Sequence, residues 1–396
     1  MKAVVLAAGL GERLKPLTYT CPKHLMPVLG KPLLYRILSF LDELKLDEII
    51  IVVSYLREKI SQFLSRVNLK TEVKLVDQIP KKGTAAALLS AKNLLSEEFL
   101  VVYGDVFLSM KDLEAVARQQ TSAVGVAKVA DPWNYGVVEI KDKYLLDVVE
   151  KPPPGKEPSN LVLAGVYKFS RKILEYLEDL SPSPRGEYEL TDAIKLMVKD
   201  GFKVKCVEVL SWVDVGRPHD LLKANIIALL ERLKTCQHNL GKGRVVTQGI
   251  SLMGSNVKLG NGVEIQAPVY IGDNCVVEEG CRIGPFTCLG DNSYIGANSV
   301  VACSVIMENS IVKEGVFIEN SIVGEGCTIK NGVKIKGGIP ATLLARKFKV
   351  NKPATRQISP DMLGAVMGEG VTIESHVEIK ARTLIPPFRV INGKGV

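Results

Sequence analysis

The chain has 396 residues, 46% hydrophobic and 24% charged, which is room for two domains and excludes a disordered or low-complexity polypeptide. Eight cysteines, at 21, 206, 236, 275, 281, 288, 303 and 327, include no Cys-x-x-Cys pair, so neither a zinc site nor a disulfide framework is indicated; with no leader segment and no apolar run of about 18 residues, a cytoplasmic protein without a membrane span is expected. The formal charge of +8 is spread along the chain with no basic run interleaved by aromatics, which argues against nucleic acid and for small anionic substrates.

Ala3 to Leu6 is an apolar, β-branched run that reads as a buried strand, and Gly9 and Gly11 break it into a loop carrying Arg13 and Lys23. Glycines let a backbone approach a polyphosphate and the cations neutralise it, although the glycines alone fit an ordinary tight turn equally well. The spacing is not the dinucleotide fingerprint, because Leu14 stands at the third glycine, and it lacks the Gly-Lys-Ser/Thr of a P-loop. Leu34, Ile37, Leu38, Leu41 and Leu44 predict a helix over 33–44, followed by a strand over 49–53, a helix over 56–67 and a strand over 72–76. This alternation predicts an α/β, Rossmann-like, mostly parallel sheet that binds ligands beyond the carboxyl ends of its strands.

Further along, Gln78 precedes the turn at Gly83 and Thr84, where Thr84 could cap the next helix or the segment could meet a planar ring. The strand over 99–102 ends in Gly104-Asp105, and a carboxylate at the mouth of an apolar strand needs a turn to cap or a hard cation to compensate it. Gly136 opens another strand. Glu150 and Lys151 stand side by side ahead of Pro152-Pro153; they reach one ligand only if the strand bends there, and otherwise form an exposed charged loop. Gly165 lies in the strand over 164–167, Glu187 precedes a helix, and Asp214 is the second carboxylate at the end of an apolar strand.

The series Leu6, Gly9, Gly11, Arg13, Pro16, Thr18, Pro22, Lys23, Pro27 and Val28 resembles the signature of the sugar-1-phosphate nucleotidylyltransferases. The resemblance implies that Leu6, Ala8, Gly9 and Gly11 border the nucleotide, that Gln78, Gly83 and Thr84 read a pyrimidine with Gly83 leaving room for its ring, and that Asp105 and Asp214 hold Mg2+. It assigns Gly136, Glu150, Gly165 and Glu187 to the sugar, Lys151 to the sugar phosphate, Lys23 to the α-phosphate and Arg13 to the leaving pyrophosphate. Leu163 departs from the family, which often has Asn there, and this loosens the identity of the sugar.

In the second half, aliphatic residues recur every six positions from 259 through 301, resume at 306, 312 and 318 after a one-residue deletion, and again at 323, 329 and 335. A six-residue period is the mark of a parallel β-helix, and the repeats resemble those of left-handed hexapeptide proteins. Cys275, Cys281 and Cys327 fall where small side chains fit an interior turn. The expected domains are therefore a transferase domain at 1–233, a linker at 234–249 and a β-helix at 250–396 interrupted at 336–362.

The layout resembles the archaeal-type enzymes that join uridylyl transfer to acetyl transfer. Their acetyltransferase histidine has no counterpart in Lys313–Ser321, so acetyl transfer is expected to be absent or very slow. The expected reaction is transfer of UMP or dTMP from UTP or dTTP to a sugar-1-phosphate such as glucose-1-phosphate or N-acetylglucosamine-1-phosphate, in a homo-oligomer; β-helices of the kind it resembles often form trimers. A non-catalytic regulatory subunit and a mannose-1-phosphate guanylyltransferase are the alternatives.

Overall fold

A computed structural model describes residues 1–235, 246–248, 251–339 and 358–393. The expected linker and interruption lie largely outside the described residues. Contacts divide the chain into two compact units, residues 1–10 with 33–214 and residues 11–32 with 215–396.

The first unit is built on a nine-stranded sheet. Lys2–Ala7 lies between Ile49–Val53 and Glu98–Tyr103, parallel to both, and Val73–Asp77 extends this half in parallel beyond Ile49–Val53. All five residues of Ile49–Val53 are buried, as expected of a strand covered on both faces. On the other side the sheet turns mixed: Leu161–Ser170 runs antiparallel to Glu98–Tyr103 and to Ala123–Lys128, while Lys205–Glu208 is parallel to Ala123–Lys128. The expectation of a mostly parallel sheet thus describes only the half that opens the chain. One antiparallel pair has a local cause: Gly136–Lys141 and Tyr144–Glu150 are joined by Asp142 and Lys143, both left-handed at φ +51° and +70°, and such a two-residue turn can only make an antiparallel hairpin. Val4, Val52 and Val101 pack with Ala85, Leu88, Leu190, Ala193, Ile194 and Met197 in one buried core.

In the second unit the chain passes in rotation through three seven-stranded parallel sheets, the connectivity of a parallel β-helix. Glu264 pairs with Arg282, Val269 with Thr287 and Val276 with Tyr294, so each coil stacks on the next. The periodic aliphatics, from Ile265, Ile271 and Val277 through Ile329 and Ile335, share one interior column. After the gap in the described residues the coils resume in register, Ile322 pairing with Val366 and Ile335 with Ile379. Cys275, Cys281 and Cys327 are fully buried, each donating its S–H to a glycine carbonyl of the next coil at 3.1, 3.1 and 3.2 Å. A ladder the hexads did not reveal runs along one corner, where the amide of Asn256 donates to Asn274 at 3.1 Å, Asn274 to Asn292 at 3.3 Å and Asn292 to Asn309 at 3.2 Å. All four adopt left-handed φ between +57° and +59°, a conformation asparagine tolerates.

The same unit contains the hairpin of Pro27–Val28 with Lys31–Pro32 and the helix Pro218–Thr235. Asn225 of that helix accepts from the Leu29 N–H at 2.9 Å and donates to the Pro27 carbonyl at 3.1 Å. At the hairpin turn Gly30 is left-handed, φ +67°, and a Cβ there would fall 2.5 Å from the Tyr270 hydroxyl of the β-helix. These contacts explain why the compact units cross the domain boundary expected at 233.

Candidate active site

The loop that carries the expected phosphate ligands closes on itself. Gly11 is left-handed at φ +71°, and a Cβ on it would lie 2.9 Å from Thr18 Cγ2 and 3.3 Å from Lys23 Cβ, so the missing side chain lets Lys23 approach the turn. The Thr18 hydroxyl donates to the Gly11 carbonyl at 2.8 Å. Arg13 sits exposed on the short turn Glu12–Leu14, which buried Leu14 anchors. Its charge also reaches His219: burial, then the cations of Arg217, Lys223 and Arg13, hold that imidazole down to about 4. The three cations therefore share one neighbourhood around a neutral ring, a grouping that no motif in the sequence signalled.

In the first unit, the strand Lys2–Ala7 ends with the Leu6 carbonyl accepting from the Gly104 N–H at 2.9 Å, which ties the start of the glycine loop to the residue before Asp105. Ala8 is half-buried and Gly9 exposed beyond it. Val106–Phe107 pairs antiparallel with Val213–Asp214, with Asp214 opposite Val106. Asp105 immediately precedes that rung, so the backbones that carry two carboxylates from distant parts of the chain come together at one short ladder. Asp105 is buried, and Trp212 secures the approach to Asp214 by donating its indole N–H to the Ala164 carbonyl at 2.8 Å and packing edge-on against Tyr135. Carboxylates are hard oxygen donors of the kind that Mg2+ takes.

Glu150 and Lys151 do meet. Lys151 follows the strand Tyr144–Glu150 with a left-handed φ of +43°, and its ammonium lies 3.4 Å from Glu150 Oε1. This is the bend that adjacent strand residues need in order to share a ligand. Arg185, which the sequence reading passed over beside Gly186-Glu187, reaches Glu150 at 3.4 Å and Glu187 at 3.5 Å and pairs closely with Glu189. The buried acid of this group is Glu189, with a side chain 5% exposed; Glu187, at 42%, lies on the rim. Burial pushes the Glu150 carboxyl above its ordinary range, Glu189 adds to the push, and Lys151 and Arg185 oppose it. Gly136 lies opposite Glu150 in the hairpin, and a Cβ on it would come within 2.8 Å of Thr191 Cγ2 and 3.2 Å of Glu150 Oε2.

Gly83 answers a demand within the chain itself. Its φ is +110° and a Cβ would fall 2.2 Å from the Tyr188 carbonyl oxygen, so the glycine makes room for the backbone at Tyr188. Thr84 makes no helix cap; its hydroxyl accepts from the Leu190 N–H at 2.9 Å and bonds to Tyr103. Gln78 donates from its amide to the Lys81 carbonyl at 2.6 Å. Gly165, left-handed at φ +70°, lets the Tyr103 ring lie within 3.0 Å of where its Cβ would be. Gly83, Thr84 and Gly165 thus frame Tyr103 and the segment that leads to Glu189.

A mixed α/β sheet with a glycine loop at a strand end, two aspartates at one short ladder, and lysine and arginine set among acids is an arrangement suited to phosphorylated ligands. Residues 2–229 match the nucleotidyl transferase family profile, and residues 265–394 match that of the GMPPB C-terminal domain. The chain is 36% identical over 310 residues to the bifunctional protein GlmU of Methanocaldococcus jannaschii, covering 78% of this chain and 74% of that protein. It is 37% identical over 322 residues to a bifunctional sugar-1-phosphate nucleotidylyltransferase/acetyltransferase of Sulfurisphaera tokodaii, covering 78% and 75%. A UDP-glucose pyrophosphorylase solved with UDP-glucose superposes with a TM-score of 0.52 at 24% identity, over 58% of this chain and 99% of that one, a likeness of fold. The chain belongs to the nucleotidyl transferase family and is an enzyme of that class. No helix among the described residues is long and apolar enough to cross a membrane.

Proposed function

We propose that this enzyme transfers UMP or dTMP from UTP or dTTP to a sugar-1-phosphate. A phosphate oxygen of the sugar-1-phosphate attacks the α-phosphorus, the bond to the β-phosphate oxygen breaks, and pyrophosphate leaves with the electron pair. The nucleophile is already anionic at neutral pH, so the task is to orient two polyanions and offset their repulsion. The observation that carries the acceptor assignment is Glu150 flanked by Lys151 and Arg185: a carboxylate that accepts from hydroxyls, beside two cations that hold a phosphate. Arg13 and Lys23 serve the triphosphate. Gln78, Thr84 and the backbone at Gly83 face the pyrimidine, and Gly136, Gly165 and Glu187 border the sugar. Asp105 and Asp214 are the carboxylates that would hold Mg2+, which when bound supplies positive charge to the phosphates.

The family's relatives bearing bifunctional names raise acetyl transfer as a second activity. Lys313–Ser321 offers no histidine, and we hold acetyl transfer to be absent or very slow. The β-helix is left-handed and serves assembly, in a homotrimer, and the seven free thiols among the described residues suit a reducing cytoplasm. Pyrophosphate release with UTP, dTTP or GTP against glucose-1-phosphate, N-acetylglucosamine-1-phosphate and mannose-1-phosphate tests the reading. Turnover with a pyrimidine nucleotide is expected, and turnover with GTP and mannose-1-phosphate alone would overturn it. Asp105→Asn is expected to lower kcat by about a hundredfold or more at saturating Mg2+.

A further inference from the structure

Asp112 lies on the helix Met110–Ala117, which follows the ladder strand Val106–Phe107, and the residue is only 6% exposed. It accepts three hydrogen bonds: from the Ser109 hydroxyl at 2.6 Å and the Ser211 N–H at 3.1 Å on Oδ2, and from the Leu210 N–H at 3.0 Å on Oδ1. Its own N–H returns to Ser109 Oγ at 3.2 Å, which caps the helix and fixes the side chain. Ser109 and Asp112 alone would form an ordinary capping pair. The two bonds to Leu210 and Ser211 go further, because those residues enter the strand Val213–Asp214 directly. Leu210 has its side chain in solvent, 80% exposed, so between the anchors at Val209, whose N–H donates to the Val126 carbonyl at 2.8 Å, and Trp212, the Asp112 carboxylate holds the backbone of Leu210 and Ser211.

A closed ring follows. From Asp105 the chain runs through Val106 and Phe107 to Asp112, crosses by hydrogen bonds to Leu210 and Ser211, continues to Asp214, and returns across the ladder to Val106. We propose that Asp112 is a positioning residue of the cation site, setting the spacing between Asp105 and Asp214 without touching the metal. The inference rests on the assignment of those two carboxylates to a divalent cation made above. Outer partners that orient metal-binding groups are commonly worth tenfold or more in affinity.

Asp112→Asn keeps the shape but sets an NH2 group where an acceptor is required. Mn2+ binding to the full-length protein, read by water-proton relaxation in the presence of a non-hydrolysable UTP analogue, is expected to weaken about tenfold. The Mg2+ concentration for half-maximal turnover should rise in step, with kcat at saturating Mg2+ little changed. Asp105→Asn, measured alongside, should abolish the protein-bound Mn2+ signal; if it does not, the cation assignment itself fails. If Asp105→Asn abolishes the signal and folded Asp112→Asn binds Mn2+ like the parent, even with a lower Tm, Asp112 is a structural anchor only and the proposal is wrong. Should Asp112→Asn not fold, Ser109→Ala, which removes the hydroxyl orienting the carboxylate, is judged on the same Mn2+ readout.

Discussion

His219 shows how a single residue can report a charged neighbourhood. It is buried, and that burial together with the charges of Arg217, Lys223 and Arg13 holds its pKa down to about 4 in the folded chain, below the 6.5 of an unfolded histidine. Between those values the unfolded chain binds the extra proton, so stability rises with pH across that window and is level above it. The effect is on the order of 3 kcal/mol, and it should appear as a fall in Tm from pH 6.5 towards 4 that His219→Asn lessens. Gly83 makes the complementary point for backbone. Alanine there would meet the Tyr188 carbonyl at φ +110°, and Gly83→Ala should cost about 1–3 kcal/mol in denaturant unfolding. At this scale the sequence told where glycines were needed but not why: Gly11 serves the approach of Lys23, whereas Gly83 makes room for Tyr188. Residue types reveal a conformational demand, and only the partner reveals its cause. Arg185 escaped notice because its neighbours Glu150 and Glu189 come from different elements.

Elements with a strict period were the most legible. The hexads gave the interior column of the β-helix directly, since each aliphatic position must be buried for the coil to close. The hairpin of Gly136–Lys141 with Tyr144–Glu150 was not legible as such, because its Asp142-Lys143 turn lacks the glycine that usually marks two positive φ values. The asparagine ladder was missed for a similar reason: it lies on a corner, outside the apolar period. It is testable. Asn292→Ala removes two amide bonds and forces a residue with an ordinary Cβ to hold φ +59°, which should cost about 1–2 kcal/mol, seen as a lower Tm by circular dichroism. Asn292→Gly, which adopts that φ freely, should lose less.

For the molecule as a whole, the boundary between chemistry and scaffold is not where chain order puts it. The loop with Arg13 and Lys23 groups with the helix Pro218–Thr235 and the β-helix through Asn225 and the Gly30–Tyr270 approach. No local pattern encodes such a contact, since it depends on residues far apart in sequence. Tyr270→Ala in the full chain should therefore raise KM for the nucleoside triphosphate, lowering kcat/KM by about tenfold, a size reasonable for a displacement of under 1 Å at reacting groups. Steady-state kinetics check this, and the β-helix should melt unchanged. The resumption of the coils in register carries another consequence. Ile322 pairs with Val366 as directly as Val305 pairs with Ile322, although far more chain intervenes. The solenoid counts completed turns and not residues, so register is a property of the stack: the rungs at Val366 and Ile379 are set by the rungs at Ile322 and Ile335 beneath them, whatever length of chain leads there.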